Sequence, residues 1–85
     1  MFDVYLSFGE TVTAEKRDQF LTQLKASLSL RMELTDRYGQ ACVRCDDAAD
    51  PTGAVISVQW RSKPILEKLG LGDQQVGWSN DPKSL

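Results

Sequence analysis

The sequence predicts an α+β domain with a mainly antiparallel sheet of four to five strands, one long helix packed on one face and a short second helix, in the order β-α-β-β-β-α. Three observations lead to this prediction. Four segments alternate apolar and polar residues with a period of two, which is typical of strands with one buried face. One segment follows helical periodicity over several turns. The chain has 85 residues, which leaves room for a single domain with a small core.

The first strand and the long helix come first along the chain. Residues 2–8 carry apolar side chains at every second position and are predicted as a strand. Thr11 or Thr13 is suited to cap the helix that follows, and Glu15 lies near its positive dipole end. The helix is predicted over 13–28, because its apolar residues fall on one stripe and its charged residues on the other side.

A hairpin is predicted after this helix. The period changes from helical to alternating at Leu28, so residues 28–35 are predicted as the second strand. Residues 36–39 have the composition of a turn, and residues 40–46 continue as the third strand. The two strands are therefore expected to pair antiparallel.

The fourth strand is predicted after an acidic loop. Residues 47–53 are polar and contain a proline and a glycine, which indicates a loop. Alternation is clearest over 54–61, which is therefore predicted as a strand that buries Trp60 in the core. A ferredoxin-like fold would need its second helix after the third strand, so this pattern keeps that fold only as a variant.

The C-terminal quarter is predicted to hold a short helix and a tail. Residues 63–69 are predicted as the helix, with a glycine just beyond it as a left-handed stop. This assigns residues 1–71 to one α+β domain and residues 72–85 to a polar tail. Trp78 is the large apolar residue of that tail, so residues 75–78 are expected to dock as a short edge strand.

The composition argues against several classes of function. The chain has 10 basic and 12 acidic residues, a formal net charge of -2, and its basic residues are scattered. Nucleic-acid binding draws much of its affinity from clustered positive charge, so we expect no nucleic-acid partner. The sequence has no apolar run of about 18 residues and begins without the basic region of a signal peptide. We therefore expect a soluble, acidic, cytoplasmic protein with no membrane partner.

Two cysteines, Cys42 and Cys45, stand in a Cys-x-x-Cys spacing. On a strand such residues point to opposite faces, and we expect Cys42 to face outward and Cys45 inward. Zinc sites are built mainly from Cys and His, and the chain has no His. A redox pair would need its first cysteine at a helix N-terminus, where the thiol pKa falls. Structural cysteines are therefore favoured over a metal site or a redox pair, and no metal or other cofactor is expected.

Two classes of function remain open. The lack of histidine removes the side chain most often used for proton transfer, which points away from an enzyme. The first hypothesis is a small protein-binding module of inhibitor, immunity or adaptor type, which acts through surface complementarity and is expected to form a homodimer. The alternative is a ligand-binding or enzymatic domain with a pocket between helix and sheet or between subunits.

The outward side of the predicted sheet is the candidate binding surface for a protein partner. It combines tyrosine with arginines, which are residue types favoured at interface hot spots. The same residues also fit a solvated sheet face with cross-strand charge pairs. The candidate residues on the sheet are Tyr5, Arg31, Glu33, Arg44, Gln59 and Arg61, and the candidate anchor in the tail is Trp78.

Overall fold

A single four-stranded sheet organises the chain, whose computed structural model describes residues 1–82. The elements in chain order are β1 (Phe2–Phe8), α1 (Ala14–Ser27), β2 (Met32–Arg37), β3 (Gln40–Cys45), α2 (Pro51–Leu69), a short 3-10 turn (Asp73–Gln75) and β4 (Val76–Ser79). The strands lie in the order β2-β3-β1-β4, and every neighbouring pair is antiparallel. The predicted α+β class is therefore confirmed, and the order β-α-β-β-α-β is that of a ferredoxin-like fold.

The predicted fourth strand is wrong, because residues 54–61 belong to helix α2. The apolar residues of this segment satisfy a helical period as well as an alternating one. Ala54 and Val58 are four residues apart and therefore lie on the same helix face, which continues into the segment predicted as a separate short helix. The buried residues of α2 are Ala54, Val58, Ser62, Ile65 and Leu66. One long helix thus replaces the predicted strand and short helix.

Helix α2 has clear signals at both ends. The Asp50 carboxylate accepts a hydrogen bond of 2.6 Å from the Gly53 amide, and Pro51 occupies the first turn, where its missing N–H is not needed. At the other end Gly70 has φ 70°, a left-handed conformation that glycine adopts without strain. The segment predicted as an acidic loop therefore holds the start of the helix.

The first half of the chain follows the prediction closely. Helix α1 begins after Thr13, whose hydroxyl oxygen accepts a hydrogen bond of 3.2 Å from the Lys16 amide. Strands β2 and β3 form the predicted hairpin, joined by Tyr38 and Gly39, both with positive φ. Two such residues are typical of the type I′ turn that matches the twist of a two-residue hairpin.

Strand β2 begins later than predicted. Leu28 is the C-terminal cap of α1, and the Met32 amide donates a 3.1 Å hydrogen bond to the Ser29 carbonyl. The intervening residues therefore form a turn rather than a strand, and Leu30 is fully exposed. The leucines at 28, 30 and 34 continue the alternating pattern back across the helix end, so the pattern predicts a strand that begins too early.

Both helices pack against one face of the sheet, which we call the inner face and which carries Val4, Leu6 and Val43. Phe20 of α1 meets Phe8 of β1 edge to face, with ring centroids 5.8 Å apart. The predicted edge strand at 75–78 is present as β4, shifted by one residue and paired with β1. Residues 83–85 of the predicted tail lie outside the described residues.

The two helices also cap each other. Lys16 of α1 donates a hydrogen bond from Nζ to the carbonyl of Leu69 at the end of α2. Arg61 of α2 donates one of 2.5 Å from Nη1 to the carbonyl of Ser27 at the end of α1. Carbonyls in the last turn of a helix lack helical partners and carry partial negative charge, so cations there are stabilising. Each helix therefore supplies a basic residue to the C-terminus of the other.

Candidate functional site

The residues predicted to share one binding surface are divided between the sheet, a turn and a helix. Tyr5, Glu33 and Arg44 lie on the sheet face turned away from the helices, which we call the outer face. Arg31 is exposed in the turn before β2, where its carbonyl accepts a 2.9 Å hydrogen bond from the Asp46 amide. By strand register the outer face carries Asp3, Tyr5, Ser7, Glu33, Thr35, Arg37, Gln40, Cys42, Arg44, Gly77 and Ser79.

Gln59 and Arg61 do not lie on the outer face, which corrects the sequence prediction. Both belong to α2, on the opposite side of the sheet. Strand parity placed them with Tyr5, but a helix turns about 100° per residue and separates them. Arg61 caps α1, as described above, so its guanidinium already has a structural partner.

An ion-pair network centred on Asp3 covers part of the outer face. The Asp3 carboxylate accepts a hydrogen bond of 2.8 Å from Arg37 Nη1 through Oδ2, and one of 3.3 Å from Arg44 Nε through Oδ1. Arg37 is on β2 and Asp3 on β1, so the arginine side chain crosses over β3, which lies between them. These side chains are about a quarter to a third exposed, so the network is partly shielded from water.

Tyr5 and Cys42 lie under this network and offer little surface to a partner. They face each other across β1 and β3, and Tyr5 is only 5% exposed while Cys42 is fully buried. The ring of Tyr38 lies 6.3 Å from that of Tyr5, and the Arg37 guanidinium lies 5.5 Å from the Tyr38 ring. Burial raises the pKa of the Tyr5 phenol, with nearby Cys42 as a further cause. Tyr38, rather than Tyr5, is the exposed aromatic residue here.

The two cysteines point to opposite faces of β3, as strand parity predicted. Cys45 belongs to the core and Cys42 lies on the outer face, but both are buried and neither forms a disulfide. Burial raises the pKa of Cys45 to about 11, with the charge of Asp47 adding to the effect. Burial also raises the pKa of Cys42, helped by Asp3. Both thiols are therefore protonated near neutral pH, which makes them poor nucleophiles.

Among the side chains that the structure describes, no cluster of three or more Cys, Asp and Glu is placed to hold a metal ion. Two of the acidic residues that follow Cys45 in sequence have structural roles instead. Asp50 caps α2, and Asp46 uses its amide to bond the turn before β2. The acidic loop is thus organised around the start of a helix.

Trp78, the candidate anchor in the tail, is packed against the domain. Its ring contacts the core from β4, and its Nε1 donates a 3.4 Å hydrogen bond to the Ser62 hydroxyl. That hydroxyl in turn donates a bond of 2.7 Å to the Val58 carbonyl. The indole is half-buried and engaged at its polar end, so the expected docking of this segment is confirmed.

Trp60 shows the opposite behaviour, because the residue expected in the core is 74% exposed. It lies on α2 one turn after Ile56, which is 47% exposed. We call the exposed row Ile56, Trp60, Lys63 and Glu67 the α2 stripe. These residues are spaced four, three and four apart, and they lie opposite the buried row of the same helix. Sequence reasoning missed this surface because it treated the segment as a strand.

A cleft opens on the inner face beside α1. Its volume is about 630 Å³, and its apolar floor includes Leu21 from the helix and Leu34 and Ala41 from the hairpin. Arg17 and Lys25 lie at its rim together with two aspartates, so the rim carries both signs of charge. The helix therefore leaves the β2–β3 half of the inner face only partly covered.

Comparison of the chain with protein-family models, with curated proteins and with solved structures finds no match. Among the described residues, no helix has the length and apolar character needed to cross a membrane.

Proposed function

We propose that this protein is a small protein-binding module that holds its partner through the α2 stripe. The observation that carries this proposal is the exposure of Trp60. An indole offers a large apolar surface, and exposed tryptophans on rigid elements are typical hot spots of protein interfaces. The opposite side of α2 is buried in the core, so the helix presents Trp60 in a fixed orientation.

The partner expected for this surface is a protein with an apolar pocket for the indole. Ile56 extends the apolar contact by one helical turn, while Lys63 and Glu67 supply charges of both signs beside it. The proposed surface differs from the predicted one, because Tyr5 is covered and Trp78 is packed. Glu33 and Arg44 on the outer face, and Tyr38 in the turn beside it, remain as groups that a second partner could contact. A cytoplasmic location and the lack of nucleic-acid and membrane partners stay predictions from composition.

Affinity capture from the native cell, followed by binding measurements with the purified partner, tests this proposal. Trp60→Ala should weaken binding about 30-fold or more, the loss expected for a hot-spot residue worth about 2 kcal/mol. Tyr38→Ala is the matched control, since it removes an exposed aromatic ring from the other side of the domain. If Tyr38→Ala loses the partner and Trp60→Ala keeps it at full affinity, the interface is on the outer face and the proposal is wrong.

Small-molecule binding is the second candidate function, and the cleft beside α1 is the observation in its favour. Its volume of about 630 Å³ is in the range of ligand sites, and it has an apolar floor with charged groups at the rim. The dye anilinonaphthalene sulfonate, which binds apolar clefts, should bind here and lose its site in Ala41→Phe. Trp60→Ala should leave dye binding unchanged. Equal dye binding by all three proteins would place the dye elsewhere and remove the support for this candidate.

A further inference from the structure

We infer that two copies of this chain associate through the free edges of their β2 strands, which join the two sheets into one of eight strands. The inference is independent of the α2 stripe, which lies on the other side of the sheet from the outer face. Strand β2 is at the end of the sheet order and pairs only with β3 among the described residues. It is regular over its six residues, since its register with β3 is continuous from Met32 to Arg37. An edge strand without a bulge or proline is a template for pairing with another strand.

The unpaired main-chain groups of β2 can be assigned from the hairpin. In a two-residue hairpin the residues that flank the turn exchange hydrogen bonds, and here these are Arg37 and Gln40. Because alternate residues repeat this pattern, Thr35 also bonds to β3. The N–H and C=O groups of Leu34 and Asp36 therefore point away from the sheet.

These groups favour one register for an antiparallel pair of β2 strands. With Thr35 opposite Thr35 of a second copy, Leu34 of each chain lies opposite Asp36 of the other, and all of their outward main-chain groups are paired. A register centred on Leu34 would require the Met32 amide, which is already bonded to the Ser29 carbonyl at 3.1 Å. The pairing centred on Thr35 leaves no main-chain group of Leu34 or Asp36 unpaired, whereas the register centred on Leu34 leaves the Asp36 carbonyls without a donor.

The side chains of β2 also fit this register. Their charges are complementary to those of a second β2, so the expected binding partner is another copy of the same chain. Glu33 of each chain lies opposite Arg37 of the other in a non-hydrogen-bonded pair, the kind in which the side chains are closer together. The two strands therefore form two complementary charge pairs. Glu33 forms no ion pair among the described residues, and Arg37 reaches Asp3 through Nη1. On the inner face, the half-buried Leu34 would lie diagonally across from Leu34 of the second copy.

A pair of substitutions at Asp36 tests the inference, because its amide points to the free edge. Asp36→Pro removes that N–H without removing a hydrogen bond to β3, and proline is tolerated at such edge positions. Asp36→Ala removes the same carboxylate and keeps the N–H. In sedimentation equilibrium we expect wild type and Asp36→Ala to dimerise, and Asp36→Pro to dimerise at least about tenfold more weakly. Circular dichroism checks that both variants are folded.

Amide hydrogen exchange of the wild-type protein supplies a second measurement that does not depend on the proline variant. The Leu34 and Asp36 amides should be protected at concentrations where the dimer forms, and should exchange faster on dilution. Glu33→Arg should also weaken the dimer, since it places two arginines opposite each other. A monomer at high micromolar concentration, or a dimer in which these two amides exchange freely, would overturn the inference.

Discussion

The two tryptophans should respond in opposite ways to truncation. Trp78→Ala should strongly destabilise the protein, because the ring packs on the core and its Nε1 bonds to Ser62. Trp60→Ala should leave stability almost unchanged, because 74% of that residue is already exposed to water. The comparison uses the same side chain and the same substitution, so it isolates the effect of position.

The expected magnitude follows from burial. A fully buried tryptophan replaced by alanine loses about 3–5 kcal/mol, so the half-buried Trp78 should lose about 2–3 kcal/mol. The Ser62 hydroxyl keeps its bond to the Val58 carbonyl in the variant, so it is not left without a partner. For Trp60→Ala the change should be within about 0.5 kcal/mol, and the higher helix propensity of alanine favours a small gain. A domain of this size has a total stability of only about 4–13 kcal/mol.

Urea denaturation followed by far-ultraviolet circular dichroism measures both variants. Each variant also retains a single tryptophan, so its fluorescence reports the environment of the other ring. The emission of Trp78 should lie at shorter wavelength than that of Trp60, because Trp78 is partly removed from water. If the two variants unfold at the same urea concentration, or if Trp60→Ala is the less stable one, the assignment of the two rings to core and surface is refuted.

Two further predictions concern the thiols and the start of α2. Because the pKa of Cys45 is raised to about 11 in the folded state, the unfolded chain ionises first, and stability should fall as pH rises from about 9 to 11. Cys45→Ala should show a smaller fall over that range in urea titrations, and an identical fall in both proteins would contradict the assignment. Asp50→Ala should lower the free energy of unfolding by about 1 kcal/mol through loss of the helix cap, whereas Asp50→Asn should lose much less. Equal losses in the two Asp50 variants would show that the loss does not come from the capping hydrogen bond.

The sequence predicted the fold class and the first half of the chain because one period dominated each segment. It failed at residues 54–61, where Ala54, Ile56, Val58 and Trp60 alternate but also repeat every four residues. Periodicity alone does not separate a strand from a helix over so short a run. The decisive signal is the Asp50-Pro51 pair, which suits the N-cap and first position of a helix but is also typical of a polar loop.

The candidate site was harder to predict than the fold, because it depends on which side chains cover others. Strand parity placed Tyr5 and Cys42 on the outer face correctly, but it did not show that an arginine from β2 reaches across them to Asp3. The helix error also misplaced Trp60, which the alternating pattern assigns to the core although it is exposed on α2. Trp78 packs on the domain, as expected for a docked edge strand, so little of it is left for the anchor role that the sequence also suggests.

The pairing of β1 with β4 affects the order in which the chain assembles. It joins Tyr5 to Ser79 and Phe8 to Val76, residues about 70 positions apart, so it closes the longest loop in the sheet. The hairpin between β2 and β3 is local and closes at a far smaller loss of chain entropy. During synthesis β1 therefore leaves the ribosome first, yet one of its edges stays open until β4 follows. For that interval β1, one of the two central strands of the finished sheet, has an open edge that can mispair with other nascent chains.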